Sequence, residues 1–276
     1  MTTALPVDRA EPTASAPRHP LAEGQVDLWL LRQPKVGSAA AALDRSVLDE
    51  AEAHRAGTCK RSVGGHLYAT AHIALRRLLG AYLGRTAGSI RFVREPCPGC
   101  GGPHGRPAVA VAVPGDAPEV HFSLSHGSGM VLVGVAATPI GADVELVPGA
   151  ETVEICSPAL HPEEHAELQA VPEQARRAAF GQLWTRKEAY LKGLGTGLAR
   201  DLSADYLGDD PLRRPPGWTV LDIPCGPRYA AAAAVLGDPP ASASVHWLSM
   251  DWLHSDGAEK PFGEPVAVDP VSATPR

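Results

Sequence analysis

Three things are scarce in this chain of 276 residues, and each scarcity excludes a class of protein. Cysteine is rare and odd in number, at five, unlike the even, dense set of a secreted disulfide framework. No stretch approaches the ~20 consecutive apolar residues of a membrane span, and prolines, Asp8 and Glu11 stand where a signal peptide needs an apolar run. Basic charge is in deficit: 25 Lys and Arg against 31 Asp and Glu leave a formal net charge of −6, the wrong sign for a general nucleic-acid binder. The expectation is a cytoplasmic protein with no membrane and no nucleic-acid partner, in which local basic clusters serve a small phosphorylated ligand.

What is present reads as an ordinary globular chain, 44% hydrophobic and 20% charged, long enough for one large or two small domains. Residues 1–24 and 255–276, rich in Ala, Pro and Thr, are expected as disordered tails. "VDLWLLR" (26–32) predicts a strand. Apolar residues recur at helical spacing over 40–57 and 62–83, and a Gly/Pro-dense loop follows over 94–107. "EVHFSLSH", "MVLVGVA" and the end of "TPIGADVELV" predict three strands. A helix is expected over 172–192, with late strands in "YAAAAAVLG" and "SVHWLSMDWL". Runs of helix followed by runs of strand argue for α+β. Each half contains helices followed by strands, which by itself does not establish a duplication.

Four clusters carry possible chemistry. In "GADVEL", Asp143 and Glu145 are two apart, so on a strand both carboxylates share one face while Val144 points to the other. Two adjacent carboxylates repel unless a cation or proton sits between them, and Mg²⁺ commonly takes one or two of them together with substrate phosphates. A polar strand face in water has the same pattern. In "WTRKEAYLKGLGTGL" (184–198), Glu188 and Lys192 are four apart on one helix face. By themselves they make a surface ion pair. Were Glu188 to reach the Asp143/Glu145 pair, three carboxylates would converge beside a lysine able to stabilise charge on a transferring phosphoryl group.

Ser125 and His126 end the strand "FSLSHG". They lack the G-x-S-x-G elbow of a hydrolase, and neighbouring residues on a strand face opposite ways, which is poor triad geometry. Phosphate binding or a plain turn both remain open. "CPGCGGPHGRP" offers Cys97 and Cys100 with His104 nearby. A single CxxC is half a zinc site, and without a second pair no essential metal is expected. Arg106 at the loop's end is a phosphate donor if the loop folds toward Ser125 and His126.

In combination these pieces resemble the Sfp-type phosphopantetheinyl transferases. The matching segments, in family order, are "HGRP" (104–107), "FSLSHG" (122–127), "PIGADVEL" (139–146) and "WTRKEAYLKGLGTGL" (184–198). The W…KEA form resembles the broad-specificity branch that serves secondary-metabolite synthases. The resemblance implies two pseudo-symmetric α+β halves, 25–137 and 138–254, in one monomeric chain. Asp143, Glu145 and Glu188 would hold Mg²⁺ on the pyrophosphate of coenzyme A, and Lys192 would touch the transferred phosphoryl group. Ser125, His126, Arg55 and Arg106 would bind the 3′-phosphate side of coenzyme A. Glu164, in "LHPEEHAEL", matches a glutamate suspected of activating the acceptor serine of an acyl or peptidyl carrier protein of a polyketide, nonribosomal peptide or fatty-acid synthase. Two departures accompany the match: Leu67 stands where relatives carry a phosphate-binding arginine, and Glu52 replaces a lysine, with Lys60 or Arg61 as candidates to compensate. A Mg²⁺-dependent hydrolase of the coenzyme A pyrophosphate and a non-catalytic carrier-binding module are the alternatives.

Overall fold

A computed structural model describes residues 21–33, 43–58, 63–111, 120–253 and 266–267. Lys60, Arg61 and most of both expected tails lie outside the described residues.

The first strand explains the architecture. In β1 (Gln25–Arg32) every residue from Val26 to Leu31 is buried, so the strand has no solvent face. Its two faces serve different cores. Trp29 and Leu31 join a cluster under the helices α1 (Glu50–Thr58) and α2 (Val63–Leu83), while Val26, Leu28 and Leu30 join a cluster on the opposite side. The hairpin strand β5 (Met130–Ala136) divides its residues the same way, with Val131, Val133 and Val135 toward the helices and Met130 and Leu132 away from them. This explains why "VDLWLLR" and "MVLVGVA" read as continuous apolar runs rather than alternating ones.

The face turned away from α1 and α2 meets a second sheet. This contains β6 (Ile140–Leu146), β7 (Trp218–Asp222) and β8 (Tyr229–Leu236), in the order β6-β8-β7. Ile140, Ala142 and Val144 of β6, with Ala231 and Ala233 of β8, close the core between the sheets. The alternate alanines Ala232 and Ala234 face the long helix α5 (Glu173–Leu194) on the outside. The result is four layers, helix–sheet–sheet–helix. Small residues let the last two layers close tightly: a Cβ on Gly141 would lie 1.8 Å from the Ala189 carbonyl oxygen of α5.

The two halves share one topology. In the first, β1 is followed by helices and then by the hairpin β4 (His121–Gly127)–β5, giving the order β1-β5-β4. In the second, β6 is followed by α3 (Ala150–Cys156), α4 (Pro162–Ala170) and α5, and then by the hairpin β7–β8. A short hairpin of β2 (Phe92–Arg94) and β3 (Pro107–Val109) carries the Gly/Pro-dense loop.

The chain returns to the first sheet after β8. Strand β9 (Ser242–Leu248) runs parallel to β1 and belongs to the first sheet, filling the edge that β5 leaves open. Leu248, Trp252 and Leu253 complete the core beneath α2. Val266–Ala267 (β10), inside the segment expected as a tail, pairs with β9. Among the described residues no helix is long and apolar enough to cross a membrane.

Candidate active site

The two sheets meet edge to edge where β4 passes β6, and the serines of "FSLSHG" make the joint. Ser123 and Ser125 are two apart and so face the same way. Their hydroxyls accept N–H bonds from Ala142 (2.9 Å) and Val144 (3.4 Å) on the free edge of β6. The Ser125 hydroxyl then donates to Asp143 Oδ1 at 2.8 Å. Ser125, expected at a substrate phosphate, is buried and bonded to β6 and Asp143. His126, one residue on, faces the other way.

Asp143 is 2% exposed. Lys192 reaches it across the α5–β6 contact, its Nζ 2.6 Å from Oδ1 and 3.4 Å from the Ala142 carbonyl. The other carboxylate oxygen, Oδ2, is buried with no partner. A buried carboxylate oxygen left bare is costly, and a cation is the simplest group that satisfies it. Glu188 sits one turn before Lys192. Burial, and then the neighbouring Asp143, push its carboxyl above the ordinary range, against the pull of Lys192. Burial, Asp143 and Glu188 raise Glu145 in the same sense, although Glu145 is exposed at the strand's end and solvent screens it more strongly. Two carboxyls raised by burial beside a third whose other oxygen is bare fit a divalent cation. Their oxygens are not drawn within 4.8 Å of one another, and Lys192 serves as the counter-charge on Asp143.

On the first-half side, a cavity of about 530 Å³ opens between α1, α2, β2 and β4. Arg55 and His126, both expected at the substrate, line it, together with Arg94, Tyr68 and His72. The Arg55 guanidinium lies 5.6 Å from the Tyr68 ring centre, and Tyr68 stacks on His72 at 4.1 Å and meets His126 edge-on at 5.9 Å. Burial, and then His72, Lys192 and Arg55, hold the His126 imidazole below its usual range. Ser125 bonds Asp143 while His126, the next residue of β4, lines the cavity, so the cavity and the carboxylates adjoin through β4. Arg94 and the Tyr68–His72 pair escaped sequence reading. The four-residue spacing of Tyr68 and His72 on a helix was the available signal.

The other expected basic positions resolve differently. Leu67 packs into the core under α2, so no cation is displaced from the cavity wall there. Glu52 is the partner of a wholly buried arginine: Arg76 bonds it at 2.6 Å and Asp49 at 2.7 Å. Asp49 and Glu52 also cap α1 reciprocally. Burial works to raise Glu52, but its bonds to His72, the Asp49 amide and Arg76 outweigh it and lower the carboxyl. Arg106 donates to the Gly193 carbonyl at 3.0 Å and pairs with Glu95 at 2.9 Å, while its buried Nε has no partner. It fastens the loop to the end of α5, where Gly195 turns the chain at φ +81.

Glu164, expected at the acceptor serine, lies in the interior of the second half. It is fully buried, and neither oxygen is free. One accepts the Leu207 amide; the other accepts the His161 amide, closing a capping box on α4, and pairs with Lys187 Nζ at 2.8 Å. Lys187 spends its remaining donors on the Leu202 and Asp205 carbonyls, both at 2.7 Å. The lysine–glutamate pair thus anchors the 200–207 loop to α5. Arg186, beside Lys187 on α5, holds Asp222 and Asp209.

The chain is similar to proteins of one known family. Residues 139–218 match the model of the 4′-phosphopantetheinyl transferase superfamily. The chain is 30% identical over 169 residues to the 4′-phosphopantetheinyl transferase HetI of Nostoc sp., covering 59% of this chain and 68% of that protein. It is 31% identical over 134 residues to a 4′-phosphopantetheinyl transferase of Bacillus subtilis, covering 48% and 57%. Sfp of Bacillus subtilis strain 168 is 29% identical over 101 residues, covering 37% and 42%.

Proposed function

The chain belongs to the 4′-phosphopantetheinyl transferase superfamily and is an enzyme of that kind, and from this premise we propose how its residues carry out transfer. The phosphopantetheine arm of coenzyme A passes to a serine of an acyl or peptidyl carrier protein. The serine oxygen bonds to the β-phosphorus, the pyrophosphate bridge breaks, and 3′,5′-ADP leaves. The buried Asp143, held on one oxygen by Lys192 and Ser125 and bare on the other, carries this reading.

Asp143, Glu145 and Glu188 would hold Mg²⁺, which when bound supplies positive charge to the pyrophosphate. Lys192 keeps nearly a third of its side chain exposed, so it can swing from Asp143 to the transferring phosphoryl group and neutralise the charge that grows there. In this reading Glu188 takes the serine proton, because Glu164 would first have to release Lys187 and leave the interior. Arg55, Arg94 and His126 receive the 3′-phosphate end in the cavity. An anionic ligand there would offset the burial and neighbouring cations that lower His126, so binding should take up a proton. Most of the rate arises from positioning and charge neutralisation.

The W…KEA motif supports carriers of polyketide, nonribosomal peptide or fatty-acid synthases, with the enzyme acting as a cytoplasmic monomer. The test is to incubate the protein with apo-carrier, coenzyme A and Mg²⁺, then weigh the carrier and assay 3′,5′-ADP. A carrier heavier by one phosphopantetheine supports transfer. Cleavage of coenzyme A without any carrier would make the protein a hydrolase, and carrier binding without a mass change a non-catalytic module.

A further inference from the structure

The loop between β2 and β3 contains a second cluster of metal-ligating groups, remote in character from the carboxylates. We propose that Cys97, Cys100 and His104 form a zinc site that staples this loop against the end of α5. Their ligand atoms all lie within 4.8 Å of one another, and among the described residues they are the group of three that does so. Donors at 2.0–2.3 Å around one tetrahedral ion lie about 3.5–3.8 Å apart, so the cluster already has the size of a site. Two thiolates and a neutral imidazole leave a charge that a single Zn²⁺ balances, with the fourth position open to water.

The backbone is folded as a metal knuckle. Cys97 donates its N–H to the Gly102 carbonyl and accepts from Gly101 at its own carbonyl, both at 2.7 Å. Gly101 takes φ +70, which an L side chain rarely adopts. The Gly102 amide points at Cys100 Sγ, 3.4 Å away, and the amides of Cys100 and Gly99 point at Cys97 Sγ. N–H groups aimed at sulfur stabilise the thiolate form that a metal requires. His104 Nε2 lies 2.9 Å from Cys100 Sγ. The sequence expectation of no essential metal rested on the missing second CxxC. The Gly101–Gly102–Pro103 turn supplies the third ligand instead, by bringing His104 back over the pair.

The consequence reaches the active site through Arg106. That residue follows His104 by two, and its guanidinium holds the Gly193 carbonyl and Glu95. A Cβ on Gly195 would sit 3.2 Å from the Arg106 amide nitrogen, so loop and helix end are in close contact. Zinc in the knuckle thereby fixes the surface on which the last turn of α5, with Lys192, rests.

The full chain, purified under reducing conditions without chelator and desalted, is assayed for zinc and for reactive thiols. Close to one zinc per chain is expected, with two thiols that react slowly until a strong chelator is added. Replacement by Co²⁺ should give thiolate-to-metal charge transfer and the visible bands of a tetrahedral site. Cys100→Ser should lower the charge-transfer intensity, and His104→Ala should lower metal affinity by at least about tenfold, the lower end of the effect of losing even an outer-shell partner. Both should raise KM for coenzyme A more than they lower kcat. Metal-free protein, a cobalt spectrum without charge transfer, a Cys97–Cys100 disulfide, or full zinc retention in both variants would overturn the site. If a variant fails to fold, chelator titration of the unaltered protein decides the same question. Zinc content is read without any transferase assay, so failure here is distinguishable from failure of the proposed function.

Discussion

Lys192→Ala separates an active-site lysine from a surface ion pair. In the intact protein Lys192 Nζ lies 2.6 Å from a carboxylate that is 2% exposed and whose second oxygen is unpartnered. Removing the lysine leaves Asp143 with the Ser125 hydroxyl as its remaining partner. Deleting one member of a buried pair typically costs about 3–5 kcal/mol. Lys192 is 31% exposed, so solvent already screens part of its charge, and about 2 kcal/mol is the reasoned loss. For a protein of this size that lowers Tm by roughly 4–8 °C when measured in chelator. A divalent cation should replace the missing counter-charge; at a hundredfold excess over its Kd it returns about 2.7 kcal/mol, enough to erase the deficit. Activity should not return with stability. Lys192 acts on charge that develops during transfer, so kcat should remain down by about a hundredfold with KM for coenzyme A little changed. Thermal melts with chelator and with Mg²⁺, beside carrier-modification kinetics, read both halves. Wild-type melting in chelator together with wild-type kcat would refute the reasoning outright.

Glu188→Gln should abolish transfer yet raise Tm in chelator, by an amount on the order of 1 kcal/mol. Because the folded Glu188 carboxyl is raised above 4.5, the native state binds the extra proton. Stability from this group therefore falls as pH climbs from about 4.5 through the raised value, and in the glutamine variant that decline should flatten in pH-dependent melts; an unchanged slope would contradict the assignment. Glu164→Gln should lose about 3 kcal/mol or more by stranding Lys187, while molecules that remain folded turn over nearly normally. Selective loss of kcat at wild-type stability would restore Glu164 to catalysis. Gly141→Ala should be among the most destabilising single changes, since its Cβ would lie 1.8 Å from the Ala189 carbonyl oxygen. Because β6 would have to move away from α5, separating Asp143 from Lys192, any folded fraction should bind Mg²⁺ poorly by calorimetry.

Much of this protein is determined by local pattern. The buried strands β1, β5, β6 and β8, the long helices α2 and α5, and the i, i+2 and i, i+4 placement of Asp143, Glu145, Glu188 and Lys192 follow from periodicity, because side-chain direction along a strand or helix is set by backbone geometry. Gly195 as the end of α5 follows from its freedom at positive φ. Tertiary structure decided what pairwise spacing cannot encode. It gave Ser125 to β6 and His126 to the cavity, since one strand lies between two differently occupied faces. It paired Lys187 with Glu164 and Arg76 with Glu52, partners far apart in sequence that no spacing links. It sent β9 back to β1, since a strand's neighbour is chosen by which edge is open and which core needs covering. And it folded His104 onto Cys97 and Cys100, because three ligands become a site only when a turn brings them within the reach of one ion.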